Sequence, residues 1–157
     1  MNDINWSQLL DGCRTPYDPR PALDAWRRGE GKIASRELWA RLLNQRDIDT
    51  AAYASTPELV KLLHSAQVVD WNVYALIALI AEGRLAKQNP PVPADLVKPY
   101  RTAWAAVVQP ALRDLAAADD DLSVRSILAV LAHAKGQHSI AILALLTEDE
   151  RQELLER

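Results

Sequence analysis

Three histidines, one cysteine and a run of three aspartates are the residues of this chain whose types could do chemistry. His133 and His138 stand five apart across a glycine, with no cysteine and no Glu-x-x-His partner to complete a zinc set. They read as residues at helix ends. Cys13 sits in a proline-rich loop beside Arg14, a neighbour that favours a thiolate. A nucleophile also needs a base and a group to orient it, and no histidine lies near Cys13 in sequence. Asp119-Asp120-Asp121 offers carboxylates for a hard cation, which would need further oxygen ligands at set spacing. A solvated cap between two helices explains the run more simply, since blocks of like charge usually mark solvated loops. No phosphate loop of the G-x-x-x-x-G-K-[ST] type, no H-E-x-x-H and no G-x-S-x-G elbow is present. The expectation is a protein without catalytic residues, bound metal or cofactor.

Residues suited to recognition are more plentiful. Five tryptophans occur in a chain that has no phenylalanine. Trp39 and Trp104 fall within apolar stripes and read as core. Trp6, Trp26 and Trp71 lie near helix ends, where an indole can be partly buried and still donate its N–H. Tryptophan, tyrosine and arginine are also the residues enriched where partners bind most strongly. Trp26, Trp71 and Tyr17 are therefore candidate anchors. Asp47, Asp49, Asp119, Asp120 and Asp121 are candidate contacts for a basic partner.

The elements that must position these residues are helices. Ala and Leu dominate the apolar share, and both are strong helix formers. No stretch alternates apolar with polar as a half-buried strand does. Asp3 can cap a first helix through Trp6, Leu9 and Leu10, with Gly12 as its stop. Prolines 16, 19 and 21 forbid regular helix before Asp18, which can cap a second helix ending at Gly29. A third helix is expected over 33–45, with Leu38, Leu42 and Trp39, Leu43 as one buried stripe. Thr56-Pro57-Glu58 reads as a cap followed by proline at the first helical position, so a turn at 50–55 and a new helix at 57–66 are expected. Asp70 caps the most apolar helix, 71–87, which should sit centrally. The stretch from Asp95 to Ala118 reads as helical, with kinks or breaks at Pro99 and Pro110. Helices at 124–135 and 139–146 follow, and Thr147 with Glu150 forms a capping box for the last.

The result is an all-α domain over 1–157, with eight to ten helices joined by short loops. Sub-halves of about 1–88 and 94–157 are joined by the proline-rich linker 89–93. Short connections favour stacked antiparallel pairs, an irregular α-solenoid of the HEAT or armadillo kind, although no clean repeat period is visible. A net charge of −3 and evenly spread lysines and arginines argue against a nucleic-acid partner. A lone cysteine suits a reducing compartment, no signal peptide opens the chain, and the longest apolar run, near 73–81, is too short for a membrane. The expected location is cytoplasmic.

Several segments together carry a resemblance. They are residues 12–23, Leu38-Trp39, Gln45-Arg46-Asp47, the stretch from Ala51 to Val60 with Tyr53 and Pro57, and Asp70-Trp71-Asn72-Val73-Tyr74. Asn89-Pro90-Pro91-Val92-Pro93 and the Ala134-Lys135-Gly136-Gln137 turn complete them. This pattern, which covers nearly the whole chain, resembles a family of small bacterial helical proteins, HEAT-like and mostly uncharacterised. Its members include immunity-type proteins paired with secreted toxins. Arg46 stands where that pattern usually has glycine, so the turn there is expected to differ. The resemblance implies a protein partner, a cognate toxin domain neutralised by direct binding, and assigns no catalytic residue. Two other readings remain: a general helical adaptor in a bacterial complex, and a metal-dependent hydrolase built on Asp119–Asp121.

Overall fold

The computed structural model describes residues 4–157, so the expected cap at Asp3 lies outside the described residues. It is all-helical, with a single 3-10 turn at Trp6–Gln8 and nine α-helices among the described residues. These are α1 (Arg20–Arg27), α2 (Gly31–Leu42), α3 (Thr50–Ser65), α4 (Trp71–Arg84), α5 (Val97–Ala106), α6 (Val108–Ala117), α7 (Asp121–Ala134), α8 (His138–Leu145) and α9 (Glu148–Leu155). Two isolated bridges, Leu10 with Pro16 and Asn44 with Asp47, are the extended pairings of the loops.

Several helix ends follow directly from local chemistry. Gly29 and Gly136 adopt φ of 90° and 72°, the left-handed region that favours glycine. Each closes a Schellman motif: the Gly29 and Glu30 amides donate to Trp26 and Ala25, and those of Gly136 and Gln137 donate to His133 and Ala132. Asp70 accepts the Asn72 amide at the start of α4, Asp120 accepts that of Ser123, and the Thr147–Glu150 capping box is formed.

Other expectations need correction. The helix expected over 33–45 ends at Leu42, because Leu43 is extended and Gln45 takes a φ of 58° in the tight Asn44–Asp47 turn. Pro19, not Asp18, occupies the cap position of α1, and Asp18 accepts the Arg20 amide instead. Gly12 ends no helix. It is buried where a Cβ would stand 2.8 Å from both the Asn44 nitrogen and the Asp47 oxygen, so only glycine allows this approach of backbone to backbone.

Most instructive is Pro57, which lies inside α3 and does not start a new helix. A proline there supplies no amide to the Tyr53 carbonyl and crowds it. Yet ten residues of α3 are buried, and that packing outweighs the local defect. Ser55 and Thr56 turn their hydroxyls back onto the Ala51 and Ala52 carbonyls (2.7 and 3.1 Å), which satisfies both hydroxyls in the interior. Pro110 leaves a similar gap. It cannot donate to the Ala106 carbonyl, which is met by His64 Nε2 at 3.0 Å, and the helix is interrupted between them at Val107.

The central element is α4, with nine residues buried, packed against α2, α3, α7 and α8. Helix α3 meets α1, α5 and α6, so both sides of the 89–93 segment share one core. That segment is stitched down rather than spanning open space. The Asn89 side-chain amide donates to the carbonyls of Gly83 and Arg46, its oxygen accepts the Ile48 amide, and Tyr53 donates to the Pro90 carbonyl.

Candidate functional site

The anticipated contact residues are not brought together by the fold. Trp26 is buried at 9% exposure and donates its indole N–H to Asp70 Oδ2 at 3.1 Å. Trp39 donates to Asn72 Oδ1 at 3.1 Å, and its ring stands 6.3 Å from that of half-buried Trp71. These indoles join α1 and α2 to the first turn of α4, so Trp26, a candidate anchor by sequence, has a structural role and little exposed surface. Asp49, a candidate contact by sequence, is likewise engaged within the fold. It caps α3, is 5% exposed, and faces Arg14 at 3.3 Å. Asp47 is half-buried and accepts from Gln88.

Tyr17 belongs to a loop held from inside by Asp11. That buried carboxylate accepts the amides of Cys13 and Thr15 and the Thr15 hydroxyl, and pairs with Arg41 at 2.8 Å. Burial alone would raise the Asp11 pKa, but these donors prevail and hold it below the usual carboxylate range. Arg41 also lies over the Tyr17 ring at 4.6 Å, and the Tyr17 hydroxyl donates to Glu37 at 2.8 Å. Cys13 is exposed at the tip of this loop.

The three aspartates do gather, but they diverge in role. Asp120 turns to the Ser123 amide, which holds its carboxyl below the ordinary range. Asp121 pairs with Arg125 at 2.7 Å and Arg151 at 3.5 Å. Both arginines also donate to carbonyls at the end of α8, Arg125 to Leu145 and Arg151 to Leu146, each at 2.6 Å. Their positive charge is thereby engaged from within, and exposed Asp119 and Asp120 leave the outer turn acidic. Among the described residues no group of three or more His, Cys, Asp or Glu converges as a metal would require.

Beside this turn lies a surface that periodicity did not reveal. Helix α8, with the sequence HSIAILAL, buries only Ala141. Ile140 and Leu143 are 55% and 51% exposed, and Leu128, Leu154 and Leu155 on α7 and α9 are exposed too. A shallow depression of about 480 Å³ places Asp119–Asp121, with Arg125 and Arg151, next to Val124, Leu128 and Ala144. In sequence α8 looks like a core helix, because hydropathy reports apolarity and not whether a neighbour exists to cover it. A larger groove of about 1030 Å³ runs between α3 and α5, and its rim mixes Arg20, Lys61 and Lys98 with Glu58 and Asp95.

No helix among the described residues is long and apolar enough to cross a membrane. No protein-family model matches this chain, and neither the curated proteins nor the solved structures provide a match to it.

Proposed function

We propose that this chain is a non-catalytic protein-binding module of the immunity type, which neutralises a cognate toxin domain in the cytoplasm by covering it. In this reading its helix pairs form an irregular HEAT-like stack, whose α7–α9 end is the contact surface. The observation that carries the proposal is the placement of exposed Leu128 beside the acidic turn at Asp119–Asp121, with Ile140 and Leu143 exposed on α8, the helix whose Ala144 borders the same depression. An exposed apolar surface rimmed by polar residues is a common mark of a protein interface. Asp119 and Asp120, which lie outside the ion pairs that Asp121 makes with Arg125 and Arg151, favour a basic partner and speed encounter through steering, in keeping with the net charge of −3.

The test is co-expression with the product of the neighbouring gene. Rescue of growth and co-purification are expected with the natural chain, and both are lost when Ile140→Glu and Leu143→Glu are combined. Because both side chains are about half exposed, that variant keeps its thermal transition. The proposal fails if the neighbouring product is harmless alone, if the chain neither binds nor rescues, or if the double variant rescues fully. A general adaptor differs in partner and not in fold, so a gene neighbourhood without a toxin would favour it.

A further inference from the structure

A second concavity, of about 490 Å³, opens where four helix ends meet. Arg84 closes α4 and His133 lies in the last turn of α7, while Val97 opens α5 and His138 opens α8. Arg84, Tyr100, Arg101, Trp104, His133 and His138 supply the polar lining, and Val92 and Val97 are among the apolar walls. No aspartate or glutamate lines this pocket. None of the ion pairs among the described residues uses Arg84 or Arg101.

Two side chains in the lining are more than nine-tenths buried and carry a polar atom without a partner. The Tyr100 hydroxyl and His133 Nε2 are both enclosed and make no hydrogen bond of good geometry, at 6% residue exposure each. Trp104 and Arg84 stand near the Tyr100 oxygen only as donors, so its own proton lacks an acceptor, and the Ala78 backbone lies near the His133 ring. Buried polar groups are nearly always paired, so an orphaned hydroxyl on a pocket wall points to an acceptor that arrives with a ligand. The wall is also stiff. Tyr53, Tyr100, Trp104 and His133 stack edge to face in sequence, at centroid distances of 5.6, 6.3 and 6.2 Å. His133 and His138 face each other through Nδ1 atoms 3.0 Å apart, which admits one shared proton.

We propose that this pocket binds a small carboxylate attached to an apolar body. Two guanidinium groups outside the ion pairs supply the charge, the Tyr100 hydroxyl supplies a neutral donor, and Trp104 with the valines contacts the apolar part. Burial keeps the Tyr100 phenol protonated, as a donor must be. It also pushes His133 down to about 4, with His138 and Arg84 adding to the effect, so His133 contributes no charge near neutrality. A carboxylate fits better than a phosphate. Two helix N-termini reach the pocket, but two C-termini reach it as well, so there is no surplus of backbone donors of the kind phosphate sites use. Charge selection falls to the arginines.

The experiment uses the purified full chain and follows the histidine ring signals by NMR while benzoate is added. Benzoate should shift the His133 and His138 resonances saturably, with a Kd on the order of millimolar for so small a ligand. Benzamide, of the same shape without the charge, should not. Arg84→Gln and Arg101→Gln should each weaken benzoate about tenfold with an unchanged thermal transition. Tyr100→Phe should weaken benzoate while leaving the free protein as stable or more so, because it removes an unpaired buried hydroxyl. The proposal is overturned by an absence of saturable shifts, by benzamide binding as well as benzoate, or by arginine variants that fold and bind unchanged. Tighter binding of phenyl phosphate than of benzoate would overturn the carboxylate assignment.

Discussion

Replacing Tyr74 with phenylalanine removes one oxygen from the centre of the molecule. The Tyr74 hydroxyl, on α4, donates to Asp114 Oδ2 on α6 at 2.6 Å. Asp114 is only 6% exposed, and its other oxygen accepts from Arg113 Nε at 2.7 Å. The ring stays in Tyr74→Phe, so there is almost no cavity cost, and the change isolates the hydrogen bond. A bond to a charged acceptor contributes about 1.5–3 kcal/mol, and here its loss leaves a carboxylate oxygen buried and unpaired. For a chain of this length that corresponds to a fall in Tm of about 3–12 °C. Urea unfolding should show a lower midpoint with the same m-value, since the surface exposed on unfolding barely changes. A cycle with Asp114→Asn should return a coupling above about 1 kcal/mol. A loss below about 0.5 kcal/mol, or a coupling near zero, would refute the reasoning, because Arg113 alone would then suffice for the carboxylate. The bond also matters for the proposed interface, since α6 leads directly into the acidic turn.

Three further outcomes are expected. Gly12→Ala forces a Cβ to within 2.8 Å of two backbone atoms, and it should cost about 1–3 kcal/mol or more in urea unfolding. Trp26→Phe removes a donor from Asp70 and leaves a gap beside Gly31, for a loss of about 1–3 kcal/mol in the same measurement. Because His133 is pushed down to about 4, the unfolded chain binds the extra proton first as pH falls. Its contribution is therefore complete above about pH 6.5 and is lost toward pH 4, to at most about 3 kcal/mol, and His133→Gln should flatten that slope.

The helical nature of the chain was legible because caps and stops act locally: Asp70, Gly29, Gly136 and the Thr147 box each set an end through their own bonds. Pro57 was misread because its local signal is that of a helix start, whereas the burial of α3 is a tertiary fact. The acidic turn at Asp119–Asp121 could be located from sequence. Its apolar neighbour could not, because Ile140 and Leu143 have the periodicity of core residues and differ only in lacking a helix above them. The lining of the second pocket was hidden for another reason. Arg84, Tyr100 and His133 come from three helices far apart in sequence, and only the spacing of His133 and His138 around Gly136 hinted at it. Asp49 and Trp26 show the converse, since good capping and donor chemistry is what drew them inside.

The Asn89 clasp gives the molecule a reporter of its own integrity. One side chain bridges Gly83, Arg46 and Ile48, so the 89–93 strap cannot lift without freeing the Ile48 amide, whose partner is Asn89 Oδ1 at 3.2 Å. Solvent exchange at that single amide thus times the opening of the strap separately from global unfolding. An Asn89→Ala chain would exchange there rapidly while α4 amides remain slow, which would show that this one clasp, and not the core, protects the Ile48 amide.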